Sequence, residues 1–254
     1  RMPPLWLVLQ VVLLGGAAAY IAAAYGAVKP QTSLAPPSTY VVAVRWAFVA
    51  NIVFTMIWSF ITLSDVVLCN DSGDRCFTFS GWAQFTSFTR WCWILQGVYF
   101  VSANLGLRCA RVLFSVSLSS ALLVTSFVYL VLIPGALLRP QPGHKAGNVA
   151  LLVSTQAHIM HLCNTLQLLW DLWFAKTYTA QLSDAQYSIA WGLMYVVFEW
   201  IFHHYSGMWH YPFLDFTKPF SSLSYTGVLC TSVATCAAAS KLCSVALVPR
   251  GKDQ

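Results

Sequence analysis

Long uncharged apolar runs, separated by short polar segments, dominate the chain. Their lengths approach the ~20 residues that an α-helix needs to cross a bilayer, whereas the alternating segments of about ten residues that are typical of membrane β-barrels are not visible. The pattern predicts six transmembrane helices, at about 5–25, 40–64, 112–134, 148–172, 186–204 and 222–246. A further segment, 85–107, is ambiguous because its uncharged part, from Trp91 to Leu107, has only 17 residues. We expect it to be re-entrant or a seventh span.

The distribution of lysine and arginine favours the six-span arrangement. With six spans, nine of these residues lie on one side of the membrane and four on the other, whereas seven spans divide them five to seven. Because short cytoplasmic loops carry an excess of lysine and arginine, we expect both termini on the cytoplasmic or matrix side.

Composition supports the same fold class. Hydrophobic residues make up 58% of the chain and charged residues 9%, against a usual charged share of about 25%. No long polar stretch provides a soluble domain, so residues 1–254 are expected to form one all-α, polytopic transmembrane helix bundle. The net charge of +6 is spread over loops and tails without a basic block, and we therefore expect no nucleic-acid partner.

The ends of the chain and its cysteines add two expectations. The first apolar run is preceded by a weak positive region, so we interpret it as a retained span rather than a signal peptide; the segment 247–251 resembles a protease-site linker. Cys69 and Cys76 flank a polar loop and are candidates for a disulfide, which requires an oxidising compartment. The other cysteines that lie in apolar runs are interpreted as packing residues.

Two histidines lie inside the apolar run 148–172. His158 and His161 are three residues apart and Asn164 follows after three more, so they share one helix face, with Gln156 nearby. Lipid offers such polar groups no hydrogen-bond partners, and this face must point into the bundle. The polar side chains on this face either form hydrogen bonds between helices or line a binding or active site.

A second polar group closes the run 186–204. Glu199, the only glutamate of the chain, lies four residues before His203, where a carboxylate can orient an imidazole. His203 begins the stretch HHYSGMWHYPFLD, 203–215, in which aromatic residues, glycine and proline indicate a helix end at the membrane interface. A buried structural hydrogen bond is the alternative interpretation.

Metal or cofactor binding finds little support. One glutamate and six histidines do not provide a di-iron carboxylate centre, and no CxxC or HExxH motif is present. A single zinc or haem held by His158, His161, His203 or His204 is an alternative, but we expect no metal and no cofactor.

Three segments resemble one known family. RWAFVAN (45–51), AHIMHLCNTL (157–166) and HHYSGMWHYPFLD (203–215) are similar to stretches of the androgen-induced protein and androgen-dependent tissue-factor-pathway-inhibitor-regulating protein family, which is related to the rolling-stone proteins. The third segment is fairly specific, and the likeness covers about residues 40–220. The resemblance implies a multi-pass membrane fold.

The resemblance also implies an activity. Members of the family cleave fatty acid esters of hydroxy fatty acids with a threonine nucleophile and a histidine. The histidine corresponds to His161, whereas the threonine corresponds to Ala50 or, in a shifted alignment, to Phe48, and neither has a hydroxyl. Thr55 and Ser59 lie further along the same predicted helix and could substitute only after local rearrangement.

Two functions follow as hypotheses. We expect an integral, multi-pass membrane protein that serves as a structural or lipid-binding accessory component of a membrane assembly, with membrane lipids and other membrane subunits as partners. The alternative is an intramembrane hydrolase of fatty acid esters of hydroxy fatty acids, with His161 as base and Thr55 as nucleophile. The residues expected around a lipid or polar pocket are His158, Asn164, Ala50, Asn51, Glu199, His203 and His204.

Overall fold

The described part of the chain is almost entirely helical. A computed structural model describes residues 37–62, 67–69, 76–138, 152–219 and 221–246. The long helices are α1 (Thr39–Thr62), α2 (Phe88–Asn104), α3 (Ala110–Phe127), α5 (Ala185–Ser206) and α6 (Ser221–Ala246). Short 3-10 helices are Gly81–Thr86, Leu182–Asp184 and Pro212–Leu214.

Two helices contain wider, π-helical turns. The helix α3 continues through such a turn, Val128–Leu132, into Ile133–Leu138. The helix α4 alternates between the two geometries, with the pieces Thr155–His158, Ile159–Cys163, Asn164–Trp170 and Asp171–Ala175, of which the second and fourth are π-helical. A π-helical turn accommodates an extra residue within an α-helix and is frequent at functional sites.

The predicted helices correspond closely to those of the structure. Each predicted span from 40 onward matches one helix, while the span 5–25 and the linker-like segment 247–251 lie outside the described residues. Among the described residues, three helices are long and apolar enough to cross a membrane: Thr39–Thr62, Ala110–Gly135 and Ser221–Ala246. The all-helical class is therefore confirmed at the level of a membrane protein with three candidate spans.

The ambiguous segment 85–107 contains the central helix α2. Its side chains Trp93, Tyr99 and Phe100 are fully buried, and Trp91 packs against Phe198 of α5 with ring centroids 5.1 Å apart. The mean hydropathy of the segment is modest because it contains polar side chains. These side chains point into the bundle, where other helices rather than lipid surround them.

Polar side chains connect α2 with two neighbouring helices. Gln96 of α2 donates to Gln167 of α4 over 2.9 Å, and Gln167 in turn donates to Asn51 of α1 over 3.0 Å. Between membrane helices, where lipid tails are as apolar as leucine, association depends on packing and on such hydrogen bonds. Asn51, one of the predicted pocket residues, therefore contributes to helix association.

The contacts of α2 show that it extends from one end of the bundle to the other. At its carboxyl end, Asn104 donates to the carbonyl of Val42, near the start of α1. At its amino end, Arg90 contacts Met56, near the end of α1. The two helices are therefore antiparallel over the length of α2.

Ion pairs mark the end of the bundle that contains Asn104. Arg45 donates to both carboxylate oxygens of Asp171, over 2.6 and 3.0 Å, and the hydroxyl of Tyr99 donates to the same carboxylate. Arg111 makes a similar two-contact pair with Asp184, over 3.0 and 3.2 Å. Both arginines are thus paired with carboxylates inside the bundle.

A small hairpin lies at the opposite end. Strands β1 (Val67–Cys69) and β2 (Cys76–Thr78) are antiparallel, with Cys69 opposite Cys76 in the register. Cys76 is disulfide-bonded, which fits the loop disulfide expected from the sequence. Phe77 of β2 packs on Phe202 of α5 and on His210, so the hairpin covers this end of the bundle.

Candidate functional site

The π-helical turn Ile159–Cys163 determines where His161 points. His161 is buried, and its Nε2 atom lies 3.2 Å from Oγ1 of Thr89. The hydroxyl of Thr125 on α3 donates to the main-chain carbonyl of His161, which fixes this turn against the neighbouring helix. The imidazole thereby faces the first turn of α2.

Thr89 is placed by the segment before α2. The 3-10 helix Gly81–Thr86 is held to α1 by Gln84, whose side chain donates to the carbonyl of Ser59 over 3.1 Å. Ser87 precedes α2 in an extended conformation, and Thr89 follows in the first helical turn. The resulting hydroxyl–imidazole pair lies within the range of a hydrogen bond.

Several donors and acceptors around this pair are unused. Nδ1 of His161, Nδ2 of Asn164 and Nη2 of Arg90 are buried and have no hydrogen-bond partner among the residues that the structure describes. Buried polar atoms are nearly always paired, so these three atoms are available to a polar ligand.

The threonine predicted from the sequence is not at this place. Thr55 is fully buried on α1 and donates over 2.8 Å to the carbonyl of Asn51, in its own helix. Ala50 lies on the exposed face of α1 and Phe48 is half-buried, packing against Phe100 and Trp170. The structure thus does not bring Thr55 or Ala50 to His161.

The remaining predicted histidines have other partners. Nδ1 of His158 lies 2.6 Å from the hydroxyl of Tyr129. His203 stacks on Trp209 with a centroid separation of 4.1 Å, and His204 is exposed. Each of the four predicted histidines thus has different surroundings, and His161 is the one that meets the Thr89 hydroxyl.

Glu199 binds a histidine that the sequence analysis did not select. α5 ends at Gly207 in a left-handed conformation, with φ of 69°, which favours glycine. The chain then returns along the helix, and His210 reaches Glu199 through its main-chain nitrogen (2.6 Å) and through Nδ1 (3.0 Å). The expected pair of Glu199 with His203 does not form.

The same network extends to the segment that contains Thr89. Nε2 of His210 lies 2.6 Å from Oγ1 of Thr86, and the hydroxyl of Tyr195 contacts both the carbonyl of Thr86 and the carboxylate of Glu199. These buried groups satisfy one another, so we interpret the network as the support that holds the segment before α2 in place.

Tyr211, next to His210, interacts with Thr89. Its hydroxyl is a hydrogen-bond partner of Thr89, and burial, together with the nearby negative charge of Glu199, raises the pKa of Tyr211 above its usual value of 10.0. The phenol therefore keeps its proton over the physiological range and is available as a donor.

Some of these residues carried a signal that the sequence analysis did not use. Arg90 and Asp171 are charged residues within or beside apolar segments, and such residues are functional candidates by default. Thr89, by contrast, is separated from His161 by 72 positions and has no distinguishing spacing.

No cluster suited to a metal ion is found in the described ranges: nowhere there do three His, Cys, Asp or Glu side chains gather. Comparison of the chain with known protein families, curated proteins and solved structures finds no match.

Proposed function

We propose that the chain is an intramembrane lipid-ester hydrolase in which Thr89 is the nucleophile and His161 the general base. The observation that supports this most is the 3.2 Å separation between the Thr89 hydroxyl and Nε2 of His161 inside the helix bundle. A nucleophile within hydrogen-bond reach of its base is the usual arrangement for covalent acyl transfer.

The proposed reaction proceeds in two steps. Oγ1 of Thr89 attacks the ester carbonyl carbon while its proton passes to Nε2 of His161; the alcohol then leaves with that proton, and an acyl-threonine remains. A water molecule next attacks the acyl carbon and gives a proton to His161. Cleavage of the acyl bond releases the carboxylic acid, and Thr89 recovers its proton from His161.

The surroundings suit the negative charge that develops on the carbonyl oxygen. Thr89 lies in the first turn of α2, where the helix dipole favours negative charge. Asn164, three residues after His161 on α4, provides the buried donor Nδ2, which has no partner among the described residues. Donors that are already in position stabilise a tetrahedral oxyanion without reorganisation.

A lipid ester is the substrate class that suits a site inside an apolar bundle. The family resemblance, which rests on segments that include His161, adds fatty acid esters of hydroxy fatty acids as the specific class. Thr89 would supply the hydroxyl that Ala50 lacks, from α2 instead of α1.

We further propose that the chain crosses the membrane seven times, with α2 as one of the crossings. A helix of 17 residues is about 25 Å long, close to the ~30 Å hydrocarbon core. A disulfide-bonded hairpin fits an oxidising compartment. If the hairpin faces such a compartment, seven crossings place five lysine and arginine residues on the hairpin's side and seven on the cytoplasmic side. An excess on the cytoplasmic side is what the positive-inside rule predicts.

A second candidate is a structural or lipid-binding accessory component of a membrane assembly. It is favoured by the unpaired Nδ1 atom of His161, because a catalytic histidine is usually oriented by a third group. In that case the same polar groups would bind a lipid without cleaving it.

Labelling with a fluorophosphonate probe tests the proposal. In a mild detergent, the protein should be labelled, and Thr89→Ala and His161→Ala should each abolish labelling. Thr55→Ala is the matched control, since it removes another buried threonine hydroxyl of the bundle and should leave labelling intact. A folded protein that stays unlabelled and co-purifies with stoichiometric partners would instead favour the accessory role.

A further inference from the structure

Arg90 is a buried cation whose surroundings are mostly apolar. It is 2% exposed, its Nη1 atom lies 3.6 Å from the sulfur of Met56, and its guanidinium is 5.9 Å from the ring centroid of Phe79. Nη2 is one of the buried atoms without a hydrogen-bond partner in the described ranges. A guanidinium in such a place is costly because it has lost its hydration.

The other buried arginines show what is missing. Arg45 and Arg111 each bind both oxygens of a carboxylate. The carboxylates of the described residues are all engaged with other cations: Asp171 with Arg45, Asp184 with Arg111, Glu199 with His210 and Asp215 with Lys218. Within the described part of the chain, Arg90 is thus the buried arginine without a counter-charge.

The unpaired groups near Arg90 suit an anion with several oxygen atoms. Arg90 is adjacent to Thr89 in sequence and close enough to His161 to interact with it electrostatically. Nδ1 of His161 is likewise buried without a partner among the described residues. Planar guanidinium groups bind carboxylate and phosphate oxygens in pairs, and Met56 and Phe79 provide apolar contacts for the rest of an amphiphile.

We propose that Arg90 binds the anionic group of an amphiphile, either a carboxylate or a phosphate. The binding itself does not depend on catalysis. The consequence for substrate choice rests on the function proposed above: the preferred ester would carry a free anionic group, or the released carboxylate would bind at Arg90.

Binding to three amphiphiles with the same alkyl chain tests this inference. The wild-type protein in a neutral detergent is titrated with hexadecanoate, hexadecyl phosphate and methyl hexadecanoate, and binding is followed by tryptophan fluorescence. At least one anion should bind about tenfold or more tightly than the uncharged methyl ester, since a hydrogen bond to a charged group has this magnitude. The two anions distinguish a fatty acid from a phosphate-bearing lipid as the source.

Substitutions separate binding from structural and catalytic roles. Arg90→Met should reduce anion affinity to that of the methyl ester, and it should raise or preserve the melting temperature because it removes an uncompensated buried charge. Thr89→Ala should retain anion binding while losing fluorophosphonate labelling, so that this inference and the proposed hydrolase can fail separately.

Three results would overturn the inference. The first is equal affinity of the wild type for the ester and for both anions, and the second is undiminished anion binding by Arg90→Met. The third is unfolding or strong destabilisation of Arg90→Met in the absence of ligand, which would mean that Arg90 already has a structural counter-charge.

Discussion

The carboxylate of Glu199 accepts hydrogen bonds from both the main chain and the ring of His210, eleven residues further along the chain. This contact holds the returning segment after Gly207 against α5 and, through Thr86, against the segment that positions Thr89.

Removing one side of this pair should destabilise the protein strongly. His210→Ala leaves the buried carboxylate of Glu199 with fewer partners, and the loss of one member of a buried pair costs about 3–5 kcal/mol. Thermal unfolding in detergent measures the effect. His204→Ala, which replaces an exposed histidine, is the control and should change stability by less than about 0.5 kcal/mol. Similar melting temperatures for the two variants would contradict this role of His210.

The ion pair at the opposite end allows a similar test with a different control. Asp171→Asn leaves Arg45 buried without a counter-charge and should cost about 3–5 kcal/mol. A triple variant, Arg45→Met, Asp171→Leu and Tyr99→Phe, removes the interacting polar groups together and should recover most of this loss. If the triple variant is no more stable than Asp171→Asn, burial of an unpaired charge is not the cause.

Tyr211 should affect labelling more than stability at neutral pH. Its hydroxyl interacts with Thr89, so Tyr211→Phe should slow fluorophosphonate labelling about fivefold, the effect of losing a hydrogen bond that contributes about 1 kcal/mol. Equal labelling rates would exclude this contribution.

The raised pKa of Tyr211 also predicts a dependence of stability on pH. Because the folded state disfavours the phenolate, its contribution to stability is fully present below the usual pKa of 10.0 and decreases as the pH rises above it. Unfolding measured between neutral and strongly alkaline pH should therefore show a smaller alkaline loss in Tyr211→Phe than in the wild type.

Orientation in the membrane can be measured at the hairpin. The sequence Asn70-Asp71-Ser72 fits the acceptor pattern for N-glycosylation. If the hairpin faces an oxidising compartment, a glycosidase should increase gel mobility, and Ser72→Ala should remove that shift. Independently, after reduction, a membrane-impermeant thiol reagent should label Cys76 from the outer or lumenal side. Labelling of Cys76 only from the cytoplasmic side would contradict this orientation.

The sequence predicts the helices well because their apolar runs are long and clearly bounded. It is ambiguous at α2, since Arg90 and Gln96 lower the hydropathy of a helix whose polar side chains other helices cover. Hydropathy measures how well a segment suits lipid, and a helix in the centre of a bundle has little contact with lipid.

The candidate site is less predictable for a different reason. His161 is found because histidine is rare in apolar segments, but its partner Thr89 lies on another helix and becomes visible only when α2 and α4 pack together. His210 likewise approaches Glu199 only after the chain reverses at Gly207. Spacing along one helix suggests His203 instead, because it cannot anticipate that reversal.

The wide turn at Ile159–Cys163 makes the geometry around His161 depend on a single extra residue. Because the wide turn takes up one residue more than a regular turn, deleting a residue there would let α4 continue as a regular helix with its flanking pieces nearly in place. The side chains within the turn, that of His161 among them, would point in other directions. The imidazole would then no longer face Thr89, and the hydroxyl of Thr125 would lose the main-chain carbonyl of His161 that it now binds. A shortening that makes α4 more regular would therefore dismantle the site, and chain length in this turn is as decisive as the identity of the histidine.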